Sequence, residues 1–365
     1  MTRDLTLHIN LDAIQHNYRI LNKQAPDARI AAAVKADAYG IGLTQVAPAL
    51  YASGCREFFV AQIGEAITLR SQALKNEKDI KIYALNGISS KNDIKRFIDY
   101  DIAPVLNSLD QIKLWQAAAK TAGTRLPALI HFDTGMKRLG LSESETQWAL
   151  QTPNAFDGLD IISIITHPAS ADTPDSQQTE KQFSQFMSIS AQFPDIKVSF
   201  CNSAAVFLKP NYHLDLIRPG IALYGGNPIP ERQNVMQPVV SMTAPVLQIR
   251  QVKAGESVGY GASYVCQADS TLATIGIGYA DGLPRSISNK GRFYFRGQAC
   301  PIRGRVSMDL TMIDISEITN PPKPGDHIEI LGENQSVDHL ATDAGTISYE
   351  VLTMLGKQVQ KCYSK

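Results

Sequence analysis

The stretch Ala33-Val34-Lys35-Ala36-Asp37-Ala38-Tyr39-Gly40 continues an apolar run that begins at Ile30. The run predicts a buried strand, so Lys35 lies where a strand ends and a loop begins. A lysine at the edge of a core loses hydration, which lowers the pKa of its amine and makes the neutral amine available as a nucleophile or base. The alternative is a lysine whose aliphatic stem packs while its ammonium group reaches water. Lys35 alone does not separate the two interpretations.

Short apolar runs alternate with helix-like segments from residue 29 to residue 226, which is the pattern of repeated β-α units. The predicted strands are residues 30–36, 58–62, 80–85, 102–106, 126–132, 161–167, 198–202 and 214–223. Amphipathic runs such as 109–121 and 177–193 lie between them. Eight strands with seven crossovers favour a parallel (β/α)8 TIM barrel over an open doubly wound sheet. We expect the barrel to span residues 10–230, with a leading helix at 11–23.

The sequence pattern changes after Gly226. Residues 227–234 form a polar, proline-marked linker, and beyond it apolar and polar residues alternate, as in 246–252. Alternation with recurring glycine turns predicts a mainly antiparallel β domain at residues 231–365, ending in a short helix at about 351–361. Residues 1–9 contain an alternating stretch that we expect to pair with this domain.

Composition narrows the class of protein. The 365-residue chain contains 35 Lys and Arg and 35 Asp and Glu, so its formal charge is zero and nothing points to nucleic acid or membrane surfaces. Five widely spaced cysteines without a C-x-x-C pair argue against a disulfide framework or zinc site and for a reducing compartment. No signal peptide or membrane-spanning run is evident. We expect a cytoplasmic protein that associates with itself.

Polar residues follow several predicted strands at one end of the barrel, where active sites of this fold lie. They are Lys35, Asp133, Lys137, Arg138, His167, Asn202, Ser203 and Arg218. Each has a structural explanation when taken singly: Thr134-Gly135 is a turn, His167 is a buried histidine before proline, and Arg218 pairs with Asp215. Their common position on one rim favours a functional site.

The loops after the last two strands of such barrels commonly bind phosphate. Asn202-Ser203-Ala204 and Pro219-Gly220-Ile221 occupy these positions and combine small residues with a hydroxyl donor. A phosphate site and a strand-end lysine together suggest pyridoxal 5'-phosphate, whose aldehyde reacts with a neutral amine. Sugar-phosphate aldolases also combine a phosphate site with a reactive lysine, so these residues alone leave that class open as an alternative.

The motifs of the chain, taken together, resemble those of bacterial alanine racemases, in family order and over nearly the full length. The segments that carry the resemblance are residues 33–40, 131–140, 166–167, 202–203, 217–225, 261–264, 278–282, 308–309 and 347–349. The resemblance implies a fold-type III pyridoxal phosphate enzyme with a barrel, a β domain and a head-to-tail homodimer.

The resemblance also implies roles for individual residues. Lys35 would carry the cofactor and act as one catalytic base, and Tyr264 of the partner subunit would be the other. The cofactor-binding residues would be Lys35, Tyr39, His167, Asn202, Ser203, Arg218, Gly220, Ile221 and Tyr349. Arg138 and the backbone amide of Met308 would bind the substrate carboxylate, and Tyr279, Arg285 and Arg305 would line the access channel.

The chemistry of racemisation explains these residue types. Two bases must flank the α-carbon, because the proton leaves from one face and returns on the other. A phenol with a pKa of about 10 is a weak base at neutrality, so His167 and Arg218 are expected to favour the phenolate of Tyr264. An arginine at the pyridine nitrogen cannot readily give up a proton, so the ring should stay unprotonated and decarboxylation should be disfavoured.

The chain departs from the commonest family pattern at two positions, His131 and Ile41. His131 replaces a lysine that is often carbamylated, and we predict that Arg138 is held instead by His131, a bound anion or water. Ile41 stands where a histidine often follows the Tyr-Gly pair. Asp37 is frequently asparagine in relatives.

The sequence therefore predicts an isomerase, an alanine racemase that supplies D-alanine for peptidoglycan. Three alternatives stay open: a racemase of broader amino acid specificity, a non-catalytic pyridoxal phosphate-binding protein, and a structural barrel without a cofactor. The predicted β domain that carries Tyr264 and Met308 argues against the non-catalytic protein, which resembles a single domain.

Overall fold

Two sheets organise the chain in the computed structural model, which describes residues 5–365. The first is an eight-stranded parallel sheet that closes into a barrel. In chain order the strands as far as the end of the barrel are β1 (Thr6–Asn10), β2 (Arg29–Ala33), β3 (Glu57–Val60), β4 (Lys81–Ala84), β5 (Ala103–Leu106), β6 (Leu126–His131), β7 (Leu159–Ile165), β8 (Lys197–Ser199) and β9 (Leu216–Ile217). β1 belongs to the second sheet, so the barrel order is β8-β7-β6-β5-β4-β3-β2-β9.

The barrel is completed between its two shortest strands. The backbone N–H of Asp215 donates to the carbonyl of Val198 at 3.2 Å, and the Asp215 carboxylate accepts from the N–H of Val198 at 2.9 Å. Both strands carry buried residues, so the barrel has an interior core. This arrangement confirms the predicted (β/α)8 fold.

Helices cover the outside of the barrel. Those in the barrel half are α1 (Leu11–Gln24), α2 (Leu43–Ala52), α3 (Ile63–Thr68), α4 (Lys91–Asp99), α5 (Leu109–Ala122), α6 (Glu143–Gln151) and α7 (Gln177–Ser190). Their ends are set by local signals. The side chain of Asn10 accepts from the N–H of Ala13 at the start of α1, and Gly123 takes the left-handed conformation after α5.

The second sheet contains both ends of the described chain. Its strands and the neighbouring hairpin are β1, β10 (Val240–Val252), β11 (Ser257–Val258), β12 (Tyr264–Val265), β13 (Ser270–Ile275), β14 (Arg292–Phe295), β15 (Gln298–Pro301), β16 (Thr311–Asp314), β17 (His327–Leu331) and β18 (Gln360–Ser364); the helices are α8 (Val337–Ala344) and α9 (Ser348–Gln358). β1 pairs antiparallel with β10 and parallel with β18. The predicted pairing of the N-terminal stretch with the β domain is confirmed for residues 6–9, and residues 1–4 lie outside the described part. The predicted boundary at residue 230 stays a prediction.

Two predicted elements were wrong in extent. The strand expected at 214–223 is only Leu216–Ile217, because Pro219 lacks an N–H for a ladder and the chain then turns into a 3₁₀ helix, Ile221–Tyr224. The final helix ends at Gln358 rather than 361, and the last residues form β18 instead. That strand lies beside the Lys35 segment. Within residues 5–365, no helix combines the length and the apolar character needed to cross a membrane.

Candidate active site

A left-handed turn carries Lys35. We call Lys35–Tyr39 the Lys35 turn; Ala36, Asp37, Ala38 and Tyr39 have φ angles of 54°, 56°, 52° and 58°. The left-handed conformation costs an L-residue roughly 1–2 kcal/mol, so four in succession are unfavourable without outside support. Strain of this kind concentrates at functional sites, where the surrounding structure enforces it. The Lys35 turn therefore marks this rim of the barrel as a site.

A glutamate from the next β-α unit supports the start of the turn. One carboxylate oxygen of Glu65 accepts from the N–H of Ala36 at 2.6 Å, and the other accepts from the N–H of Ala61 at 2.7 Å. The Glu65 side chain thereby connects the backbone that follows β2 to the backbone that follows β3. Glu65 was not predicted as a site residue. Its position at the start of α3 was a readable signal, because a glutamate there closes a capping box with Gln62.

The environment lowers the pKa of the Lys35 amine. Burial is the main cause, the positive charge of Arg138 adds to it, and the carboxylate of Glu65 opposes both. A lowered pKa gives a larger fraction of neutral amine, which is the form that attacks a carbonyl and accepts a proton. This favours the nucleophile interpretation of Lys35 over the lysine that merely reaches water.

The predicted phosphate-binding residues meet beside Lys35. A cavity of about 430 Å³ is lined by Lys35, Tyr39 and Tyr349. The rings of Tyr39 and Tyr349 lie 5.8 Å apart. Ser203 accepts from the N–H of Gly220 at 2.8 Å, which joins the two predicted phosphate loops.

Close approach explains why glycine stands at position 220. A Cβ there would lie 2.1 Å from the hydroxyl of Tyr39, so a larger residue would displace the Tyr39 ring. Burial raises the pKa of Tyr39 above its ordinary value and that of Tyr349 to about 12. Both phenols therefore keep the O–H that a phosphate oxygen accepts from. These residues fit a phosphate-bearing cofactor attached to Lys35.

A second cavity, of about 900 Å³, adjoins the first along Tyr349 and is lined by His167 and Asn202. The side-chain oxygen of Asn202 accepts from the N–H groups of Ala204 and Ala205, at 3.1 and 3.0 Å. In this structure Asn202 shapes the phosphate loop through these bonds.

Arg218 is a buried cation that forms no ion pair with a carboxylate of residues 5–365. Its guanidinium donates to the carbonyls of Thr166 at 2.6 Å and Phe200 at 3.4 Å, and to the hydroxyl of Ser199. The expected alternative partner, Asp215, instead contacts Lys197 at 3.0 Å. Burial lowers the pKa of Arg218 to about 10, so the group stays charged at neutral pH.

Burial, with this charge as a second cause, keeps the neighbouring histidines neutral. Burial and the nearby arginines lower the pKa of His131 to about 3 and that of His167 well below its ordinary value. The tautomer of His131 follows from its partner, Asn107. The Asn107 amide nitrogen donates to the carbonyls of Leu85 and Val105, so its oxygen faces Nδ1 of His131 at 2.8 Å. Nδ1 must then carry the proton, and Nε2 is left as an acceptor.

Asn107 was missed by the sequence reasoning although it directly follows β5 on the same rim. The rule that selected Asn202 would have found it. Arg138 is exposed, and residues 5–365 show no hydrogen bond between it and His131. The predicted direct support of Arg138 by His131 is therefore not present in this structure.

The second predicted base, Tyr264, lies in the C-terminal domain and does not line the cavity that contains Lys35 of the same chain. Tyr264 belongs to the short hairpin of β11 and β12, with the guanidinium of Arg303 over its ring at 4.8 Å. Among the described residues, neither Tyr264 nor Met308 lines the cavities that contain Lys35 and His167. Met308 is 54% exposed. Met308 is thus exposed on the C-terminal domain, whereas Tyr264 is partly buried against a small core cluster of that domain.

The three predicted channel residues also lie on exposed parts of the C-terminal domain. Tyr279 and Arg285 each begin a short 3₁₀ turn, and Arg305 packs against Gly261 beside the Tyr264 hairpin. Their role in access stays a prediction.

The barrel and the lysine on a strained turn, with the predicted phosphate loops beside it, are those of an enzyme of the pyridoxal phosphate class. Comparison with known proteins narrows this class. The family model "Alanine racemase, N-terminal domain" matches residues 9–228, and "Alanine racemase, C-terminal domain" matches residues 239–363. The chain belongs to the alanine racemase family.

Named relatives cover almost all of the chain. A protein of Rhizobium johnstonii named "Alanine racemase, catabolic" is 46% identical over 98% of this chain and 94% of its own length. An alanine racemase of Rhodospirillum rubrum is 42% identical over 98% and 95%. The crystal structure of alanine racemase from Bartonella henselae with covalently bound pyridoxal phosphate has a TM-score of 0.94 and 40% identity, covering 99% of both chains.

The low pKa of His131 predicts acid sensitivity. Below the ordinary histidine pKa of about 6.5 the unfolded chain binds a proton that the folded chain excludes, so stability falls as the pH drops from about 6.5 towards 3. His131→Asn should reduce this loss by up to about 1.4 kcal/mol per pH unit. Unfolding measured between pH 7 and pH 5 checks it, with exposed His8→Asn as the control. Equal acid sensitivity in wild type and His131→Asn would contradict the assignment.

Proposed function

We propose that this protein is an alanine racemase that binds pyridoxal 5'-phosphate at Lys35 and interconverts L-alanine and D-alanine. The observation that carries the proposal is the Lys35 turn, which presents an amine of lowered pKa beside the Ser203 and Gly220 loops. Family models that match residues 9–228 and 239–363 support it. When bound, the cofactor supplies the electron withdrawal that acidifies the α-proton of an amino acid.

The chain's own residues divide the remaining work. Tyr39, Tyr349 and Ser203 hold the phosphate through hydroxyl groups, and Arg138 with the Met308 amide binds the substrate carboxylate. The N–H of Met308 donates to no other group within residues 5–365, so it is free for this task. Arg218 offers a permanent cation to the pyridine nitrogen, which argues for an unprotonated ring and against decarboxylation.

Two bases on opposite faces perform the proton transfer. Nζ of Lys35 removes the α-proton of D-alanine or delivers a proton to form it, and the phenolate oxygen of Tyr264 does the same for L-alanine. His167 is neutral here because burial and Arg218 oppose its protonation. A neutral His167 can donate a hydrogen bond to the oxygen of Tyr264 without adding another charge to the site.

We propose that the site is completed in a homodimer. Tyr264 and Met308 lie outside the Lys35 cavities of their own chain, and the loops around them expose apolar side chains. Tyr260 is 71% exposed, and Ile347, beside the cavity, is 60% exposed. Exposed large apolar side chains both beside the cavity and near the hairpin are consistent with two faces that become buried when subunits associate. A two-fold arrangement would place each hairpin against the other subunit's barrel rim.

Mixing two inactive variants tests the reaction and the shared site together. Lys35→Ala and Tyr264→Phe should each lose nearly all alanine racemase activity. Unfolding and refolding them together should restore about a quarter of the wild-type activity, because half of the dimers are hybrids with one intact site. Refolded single variants serve as controls. Hybrid dimers without activity would show that Tyr264 acts within its own subunit, and a wild type inactive on alanine would contradict the function.

The physiological role we propose is the supply of D-alanine for peptidoglycan, in the cytoplasm. A catabolic role is the second candidate, because two curated relatives, at 46% and 43% identity, bear the name catabolic. Deleting the gene in its source organism distinguishes them. We expect D-alanine-dependent growth; growth without D-alanine, combined with failure on D-alanine as carbon source, would favour catabolism.

A further inference from the structure

The last strand of the chain lies directly against the Lys35 turn. Nζ of Lys361 is 2.8 Å from a carboxylate oxygen of Asp37, in the middle of the turn. Two residues on, the hydroxyl of Tyr363 donates to the carbonyl of Ile41 at 2.9 Å. Both side chains come from β18, in the C-terminal domain. The strand therefore contacts the segment after Lys35 at two points.

The alternating burial along β18 indicates that these two side chains lie on the same face of the strand. Lys361 and Tyr363 are partly buried, whereas Cys362 between them is exposed. Alternation of this kind places residues two apart on one face of a strand. β18 is in turn fixed by five paired positions along β1, from Thr6 opposite Gln360 to Asn10 opposite Ser364. A strand held in this way is a firm support for the turn.

The Asp37 carboxylate contacts the start of α2 as well as β18. Its other oxygen accepts from the N–H of Leu43 at 2.7 Å, where α2 begins. One side chain thus ties the strained turn forward to α2 and outward to β18. Two glycines after the Lys35 turn let neighbouring groups approach the backbone. A Cβ on Gly42 would lie 2.0 Å from the hydroxyl of Tyr363, and a Cβ on Gly40 would lie 2.7 Å from the carbonyl oxygen of Leu352.

The ion pair is too exposed to be explained by global stability. The Asp37 side chain is 55% exposed and that of Lys361 is 20% exposed. Pairs of this kind contribute little to folding. The ion pair can still stabilise the local conformation of the Lys35 turn, because the left-handed conformation is intrinsically unfavourable. Loss of the ion pair should therefore change the conformation of residues 36–43 and leave the global stability almost unchanged.

We propose that Lys361 and Tyr363 are positioning residues for Lys35, acting from the C-terminal strand through Asp37 and Ile41. This inference rests on the proposed function for its catalytic consequence, and its structural part stands on the contacts alone. Releasing the contact lets the Lys35 turn relax, so the amine spends less time where it reaches cofactor and substrate. A small misplacement of a reacting group is enough to lower a rate markedly.

The test compares Lys361→Met, Asp37→Asn and the double variant. Asn tolerates the left-handed conformation and retains an oxygen for the Leu43 N–H, so the change removes mainly the ion pair. We expect about a tenfold fall in kcat for each single variant and no further fall for the double, because the two residues act through one contact. Lys361→Arg should keep most of the activity. The control Cys362→Ser, on the opposite face of the strand, should match wild type.

Hydrogen exchange on the intact protein supplies a readout besides activity. Amides of residues 36–43 should exchange faster in Lys361→Met, while exchange in the strands β3 to β7 and the melting temperature stay as in wild type. With active enzyme, the primary isotope effect on α-deuterated D-alanine should rise more than that on L-alanine, because Lys35 handles the D-face proton.

The outcomes separate this inference from the proposed function. Additive losses in the double variant, or unchanged exchange at 36–43 in Lys361→Met, would overturn the positioning role. A protein that racemises no amino acid would contradict the proposed function, and the hydrogen-exchange result would still decide whether β18 holds the turn.

Discussion

The structure depends on four consecutive L-residues held in the left-handed conformation immediately after a buried strand. This arrangement is unfavourable by itself, and its neighbours on every side supply hydrogen bonds or close contacts that maintain it. Glu65 binds the first amide of the turn, and Asp37 reaches Leu43 and Lys361. The result is a lysine whose backbone is fixed at the barrel rim although it lies in a loop. A fixed backbone limits the positions that the amine can take.

A positive electrostatic environment is the second constraint on the site. Arg218 is buried beside carbonyls and hydroxyls rather than a carboxylate, and Arg138 lies near enough to lower the pKa values of Lys35, His131 and His167. Burial is the main cause of these lowered pKa values, and the fixed guanidinium groups add to it, so the amine and the imidazoles are favoured in their neutral forms. The guanidinium groups also suit an anionic cofactor and a carboxylate substrate.

The sequence predicted the fold well because its signals are local and repeated. Eight apolar runs separated by amphipathic segments indicated the barrel, and the polar residues at the ends of several runs located the rim. The eighth strand was overextended because Ile221 to Leu223 is apolar, and apolarity does not distinguish a strand from a buried 3₁₀ turn. The final strand was missed for a related reason. Pairing of β18 with β1 joins residues more than 350 positions apart, which no local pattern reveals.

The site was predictable in its residue types but only partly in its contacts. Strand-end position selected Lys35, His167 and Arg218, and the same criterion applied to Asn107 would have explained His131. The left-handed conformation of Ala36 and Ala38 had no sequence signal, since alanine favours ordinary helices. Its support by Lys361 was equally hidden, because it depends on where the second domain places its last strand.

The account's central claim is that Lys35 and Tyr264 each serve one face of the substrate. Tyr264→Phe incubated with each alanine enantiomer in deuterated water tests it most directly. The account predicts that D-alanine still takes up α-deuterium without inversion, because Lys35 can remove and return the proton on its own face, while L-alanine takes up almost none. Wild type should exchange and invert both. Equal uptake from both enantiomers by the variant, or none by wild type, would contradict the two-base assignment.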